Sequence, residues 1–292
     1  MSSPSENERL ARLWQLVFNP AAHLTPLELP KLRTGPEFHP DNALVLAWLC
    51  QLTYERNPDK RQSLLSMTGM EEISHHSNQN LHWSRLRSVT ERDHHVLAFR
   101  GTADLQHWFF NINTLLTAWP TGGKVHSGFA SAYKRIADAM TEDLSDKPPN
   151  HLWITGHSLG GAFALFAANE FPSEGVYTFG CPRVGSPLFA EACETESNIH
   201  RVVHNQDIVT TIPYEISFLE ELAYKHVGEV AHLRRDCPIA IGDETHLPYS
   251  RKSWLDAAHA MIEGDHVGEP LPALLDHAPN LYISRIQEAA GL

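Results

Sequence analysis

Gly156-His157-Ser158-Leu159-Gly160 lies between two runs of opposite character. His151-Leu152-Trp153-Ile154-Thr155 before it is strand-like, and the stretch from Leu159 to Asn169 is rich in Ala and Leu, which favour helix. A strand that passes at once into a helix forces the corner residue into a strained backbone conformation. Glycines on both sides remove the side chains that would collide there. The Ser158 hydroxyl then stands above the sheet edge, close to a helix N-terminus that supports developing negative charge. That geometry suits a nucleophile in acyl transfer.

The surrounding pattern predicts the sheet that such a corner needs. Strand 151–155, helix 159–171, strand 175–180, helix 186–195 and strand 199–204 alternate, which argues for an α/β fold: a mostly parallel sheet with helices on both faces. Upstream, 82–89 and 94–100 read as a hairpin turning at Glu91-Arg92-Asp93, Asn42 to Glu55 as a core helix, and Ser131 to Leu144 as a helix. Ser5 and Glu8 have capping-box spacing ahead of Leu10, Leu13, Trp14, Val17 and Phe18, which recur at helical spacing. Pro20, Pro26, Pro30, Pro36 and Pro40 then mark an extended connection. Residues 1–35 are therefore expected to pack as a helix and an extended segment on one domain, 36–292. Val227 to Leu233 reads as a late strand, and 249–262 and 273–290 as closing helices or helix-adjacent loops.

Composition narrows the partners. The 292 residues, 42% hydrophobic, are ample for a large core. The net charge of −12 argues against nucleic acid, whose phosphates need a basic face. Docking at a lipid–water interface through apolar side chains stays open, but no apolar stretch is long enough for stable membrane insertion. No secretory signal is seen, so the expected location is cytoplasmic or outside by a signal-independent route. Cys50, Cys181, Cys193 and Cys237 read as buried thiols, with a Cys181–Cys193 bridge unsupported. The nineteen histidines show no zinc spacing, and pairs such as His75-His76 point to opposite faces of a strand. Neither a metal nor a cofactor is expected.

A serine hydroxyl needs a base to take its proton and an acid to orient the base. Strand 199–204 runs into Asn205-Gln206-Asp207, which brings Asp207 out at the same sheet edge as Ser158. The base should follow in the order Ser, Asp, His. His226, His246, His266 and His277 all qualify from the residues alone. His157 is set aside, because its side chain leaves the corner in another direction. Of the two oxyanion donors needed, Leu159 N–H supplies one, and Thr102, after the strand ending at Arg100, is the candidate for the other.

Phe99-Arg100-Gly101-Thr102, Val125-His126-Ser127-Gly128-Phe129, Gly156 to Gly161, Tyr177 to Gly185 and Asn205-Gln206-Asp207-Ile208-Val209, in that order, resemble the signatures of the class 3 lipases, the fungal-type triacylglycerol lipase family. The similarity runs from about Phe38 to Ile286. It implies an α/β-hydrolase fold, with Ser158 as nucleophile, Asp207 as acid and Thr102 as hydroxyl oxyanion donor. The family's late Asp-His segment, followed by a Tyr, matches Asp276-His277 and Tyr282 and so selects His277. Tyr224 to Gly228 resembles a non-catalytic segment, which demotes His226. The resemblance places a lid over 103–119, where Leu105, Trp108, Phe109, Phe110 and Ile112 suit an apolar helix over an apolar cleft, together with Leu115, Leu116 and Trp119. The implied activity is lipase hydrolysis of acylglycerols or long acyl esters. A carboxylesterase or feruloyl esterase, a phospholipase A1-type effector and a catalytically inactive lipase-like scaffold are the alternatives. The chain departs from the family pattern in residues 1–35, 214–220 and 240–272.

Overall fold

The computed structural model describes residues 13, 15–17, 19–79, 81–102, 115–213, 223–235, 238–244, 247 and 272–291. The strands are β1 (Met70–Asn78), β2 (Leu81–Ser88), β3 (His94–Phe99), β4 (Leu116–Ala118), β5 (Lys124–His126), β6 (His151–His157), β7 (Gly175–Phe179), β8 (Ile199–His204), β9 (Glu229–Leu233) and β10 (Ala240–Ile241). The helices are α1 (Pro40–Leu52), α2 (Pro58–Leu65), α3 (Ser127–Asp146), α4 (Leu159–Ala168), α5 (Pro187–Glu196), α6 (Pro272–Leu275) and α7 (Pro279–Ala290).

Eight strands form one sheet in the order β1-β2-β3-β6-β7-β8-β9-β10. From β3 to β9 every pairing is parallel. The antiparallel strands β1 and β2 extend one edge and β10 the other. The central strands are covered on both faces, so most of their residues are buried, polar ones such as Thr155, His200 and Arg201 included. Leu97, Phe99, Leu152, Ile154 and Val176 face a core shared with α3, α4 and α5. Their neighbours Val96, Ala98, Trp153, Tyr177 and Phe179 face a second core shared with α1 and α7. That alternation follows from the two-residue period of a strand.

Helix α1 is buried along nearly its whole length. A helix apolar on all sides must be covered on all sides. The proline-rich stretch before it provides the outer cover: Trp48 Nε1 donates to the Thr25 carbonyl at 2.9 Å and Gln51 Nε2 to the Pro20 carbonyl at 2.8 Å. Leu13 and residues 15–17 are helical. Val17 packs with Ile208, Val209, Ile212, Leu274 and Ala278.

Three readings of the sequence are corrected here. The expected hairpin is two strands of a three-stranded meander, because β1 pairs with β2 along its length, with a bulge between Glu72 and Ser74. β1 is polar and half-exposed, so it carries no apolar alternation to read. The expected helix at Ser131 begins at Ser127, where His126 Nδ1 accepts the Phe129 N–H and caps the first turn. The end of the expected lid is not a lid helix. Leu116–Ala118 is strand β4, paired with β5, and Trp119 is buried with its ring stacked on Phe166, 4.4 Å between centroids. Leu105, Trp108, Phe109, Phe110 and Ile112 lie outside the described residues, as does the stretch 249–262. Cys50, Cys181 and Cys193 are separate buried thiols, so no Cys181–Cys193 bridge forms; Cys237 lies outside the described residues.

Candidate active site

The corner after β6 takes its shape from backbone contacts that only glycine permits. Ser158 has φ +59° and ψ −128°, a combination that costs an ordinary residue about 1–3 kcal/mol. A side chain on Gly156 would overlap the Gly160 carbonyl, and one on Gly160 would overlap the carbonyl of Phe99 in β3. The helix therefore starts pressed against two strands. The Ser158 N–H is held by the Phe179 carbonyl at 2.9 Å. Ser158 is fully buried, and its Oγ has no hydrogen-bond partner among the described residues. Leu159 opens α4, so its N–H is one of the first-turn amides without an acceptor inside the helix.

Asp207 follows β8, three residues past its end, and caps the short 3-10 turn Ile208–Thr211: its Oδ1 accepts the Val209 N–H at 2.9 Å. Its Oδ2 accepts the Tyr282 hydroxyl at 2.6 Å and His277 Nδ1–H at 2.8 Å. Burial works to raise this carboxyl's pKa. Its electrostatic pairing with His277 and the three hydrogen bonds it receives together outweigh it, and the pKa is held below its ordinary value. Asp207 is thus a buried anion.

His277 lies in the turn between α6 and α7 and is fully buried. With Nδ1–H on the carboxylate, the neutral ring presents Nε2 as an acceptor. Nε2 is likewise buried without a hydrogen-bond partner among the described residues. Ser158 Oγ and His277 Nε2 are therefore not hydrogen-bonded to each other in this structure, and other buried side-chain atoms, such as Ser74 Oγ and His94 Nδ1, also lack a hydrogen-bond partner among the described residues.

Gly101 and Thr102 follow β3. A side chain on Gly101 would come within 2.9 Å of Ser158 Cβ, which puts this loop directly against the serine. Of the other histidines considered, His226 Nε2 bonds to the Thr210 carbonyl at 2.8 Å, and burial lowers its pKa well below the ordinary value. His246 and His266 lie outside the described residues. His157 does not point away from the site: its ring lies 4.5 Å, centroid to centroid, from that of His277.

Two supporting residues had no role in the sequence reading. Tyr282 entered it only as a landmark, yet its hydroxyl binds Asp207. Asp276 Oδ2 accepts from Asn205 Nδ2 at 2.7 Å and from the Gln206 N–H at 3.1 Å. It thereby ties the segment before His277 to the segment before Asp207. Adjacency to both residues was the only available signal.

Residues 96–217 match the family model for lipase (class 3). A lipase from Rhizomucor miehei is 33% identical over 133 residues, 40% of this chain and 37% of that protein. Secreted mono- and diacylglycerol lipase A from Penicillium cyclopium is 32% identical over 144 residues, 46% of each. Phospholipase A(1) DAD1, chloroplastic, from Arabidopsis thaliana is 32% identical over 148 residues, 40% of this chain and 33% of that protein. The matches span 33–46% of the length of these curated relatives. Among solved structures, a lipase from Rhizopus microsporus var. chinensis aligns with a TM-score of 0.60 at 22% identity, over 87% of this chain and 94% of that one.

Proposed function

We propose that this chain, which matches the class 3 lipase model over residues 96–217 and has an α/β-hydrolase fold, is a serine ester hydrolase acting on acylglycerols or other long acyl esters. The observation that carries this reading is the buried Asp207–His277 pair, together with a buried Ser158 at a strained strand–helix corner.

In the proposed reaction His277 Nε2 takes the Ser158 proton and the oxygen attacks the ester carbonyl. Leu159 N–H and Thr102 receive the developing oxyanion. Imidazolium, stabilised by the Asp207 carboxylate, returns the proton to the leaving alcohol. Water, deprotonated by the same imidazole, then releases the acid and restores the serine. No cofactor takes part in these steps. Among the described residues no helix is long and apolar enough to cross a membrane; contact with lipid is proposed to occur at an interface. One relative is named a phospholipase A(1), which makes a phospholipid acyl ester the second substrate to try.

Nitrophenyl esters of rising acyl length, assayed below and above their solubility limits, test the reading. Ser158→Ala is expected to lower turnover by about 10⁴-fold or more with the fold unchanged by circular dichroism. Normal turnover by that variant would remove the proposal. A rate jump above the solubility limit is the expected mark of a lipase, whereas best turnover of short soluble esters without a jump identifies an esterase.

A further inference from the structure

We propose that His157 and Tyr54 form a positioning relay that holds the base turn, the serine corner and the oxyanion loop in one fixed arrangement. This inference rests on the reading of Ser158, His277 and Asp207 as a catalytic triad. It concerns the residue inside the Gly-x-Ser-x-Gly pattern to which that chemistry assigns no role.

The hydrogen bonds define a single proton arrangement. His157 Nε2 lies 2.8 Å from the main-chain carbonyl oxygen of His277. A carbonyl only accepts, so Nε2 carries the hydrogen. The neutral ring then offers Nδ1 as an acceptor, and the Tyr54 hydroxyl, 2.8 Å away, donates to it. Burial, with the neighbouring His277 adding to it, pushes the His157 pKa down to about 3. The ring therefore stays neutral, in this one tautomer, across any ordinary working pH.

Tyr54 extends the connection to the third element. It stands just past the C-terminus of α1, with its hydroxyl packed on Gly101 and facing the Gly101 N–H. From that one hydroxyl the contacts run to the oxyanion loop in one direction. In the other they run through His157 to the backbone of the base. His157 also meets the His277 ring face, with the two planes 34° apart. The His277 carbonyl belongs to a turn, between two helices whose ladders do not include it, so a side-chain donor is what limits its movement. A misplacement of about 1 Å at a reacting group is worth roughly 10²-fold in rate. The relay acts through position alone: neither residue is needed to touch the substrate.

The test uses the full chain and a short, soluble nitrophenyl ester. His157→Leu removes the donor to the His277 carbonyl, whereas His157→Gln keeps an N–H at a similar reach. The expected result is a fall in kcat of about 10- to 100-fold for His157→Leu with KM nearly unchanged, and recovery of most of kcat in His157→Gln. Phosphonylation of Ser158 by a soluble nitrophenyl phosphonate should slow in parallel, because it needs the same base. A kcat for His157→Leu close to that of the parent chain would overturn the relay. So would equal losses in the Leu and Gln variants when both melt like the parent. If His157→Leu does not fold, Tyr54→Phe replaces it: a loss confined to kcat supports the relay, and an unchanged kcat overturns it. Ser158→Ala, run alongside, separates the two levels. Activity surviving in that variant removes the triad itself, whereas an inactive Ser158→Ala beside a fully active His157→Leu removes only the relay.

Discussion

At the scale of single residues, the site depends on where side chains are missing as much as on where they are present. Gly156 and Gly160 flank Ser158, and both are pressed against backbone oxygen that cannot move without displacing a strand or a helix. Gly175, at the start of β7, is different: a side chain there would meet the edge of the Tyr177 ring at 3.5 Å and the Asn198 carbonyl at 3.7 Å, both at ordinary contact distance. The contrast predicts that Gly156→Ala costs more than about 4 kcal/mol and abolishes activity, whereas Gly175→Ala stays within about 1 kcal/mol. Thermal and urea unfolding of the two variants, with ester turnover on the same samples, measures both. This part of the site was legible in the sequence, because a corner needing two glycines around one serine leaves them adjacent in the chain.

At the scale of elements, the decisive contacts join segments far apart in sequence. Asp207 leaves β8 and His277 precedes α7, 70 residues later. Asp276, buried beside them, receives Asn205 Nδ2 and the Gln206 N–H and has His204 Nδ1 and Arg235 Nη2 at 3.7 and 3.6 Å. Burial raises its carboxyl pKa despite these partners. Asp276→Ala should destabilise the fold by about 1–3 kcal/mol by leaving buried donors unsatisfied. It should also lower kcat more than KM, since the Asp207 and His277 segments lose their tie. Steady-state kinetics and a melting curve on that variant check both, and an unchanged kcat would show that the tie is dispensable. The sequence placed Asp276 beside a histidine without disclosing this role, because hydrogen bonds across 70 residues leave no periodicity to read. For the same reason β1 was missed: its polar residues form a strand through pairing with β2. Trp119 was read with an apolar lid, and only packing against Phe166 and Tyr133 distinguishes it as core.

At the scale of the molecule, the histidines dispersed through the sheet couple stability to pH. Burial pushes the pKa of His82, His95 and His200 down to about 4 and that of His157 to about 3, from an ordinary value of 6.5. In the unfolded chain these rings take up protons near the ordinary value. Between about pH 6.5 and 4 the unfolded state therefore binds more protons than the folded one, and stability rises with pH. Their contribution is fully present above 6.5 and is lost as the pH falls toward 4. Asp207, held below its ordinary value of 3.8, acts in the same direction, but only at still lower pH. The midpoint of thermal unfolding should drop steadily over the first interval, with proton uptake on unfolding measurable by calorimetry in buffers of different ionisation enthalpy. Glu170 and Asp276, whose carboxyl pKa values burial raises, act in the opposite direction at the acid end of that interval, so it is a flat profile in its upper part that would contradict the burial of these rings.

The sequence by itself determined the strand–serine–helix corner, the alternation that builds a parallel sheet, and the order of serine, aspartate and the histidines after it. Each is local, written in adjacent residues or in a repeating period. The residues alone left His226, His246, His266 and His277 open, and the family resemblance singled out the last. Only the tertiary structure brings His277 Nδ1 onto Asp207, puts Tyr282 on the same carboxylate, and turns His157 toward the site. Those contacts depend on how β6, β8, α1 and α7 pack over one another, and packing geometry is a property of the assembled core that no single stretch of chain carries.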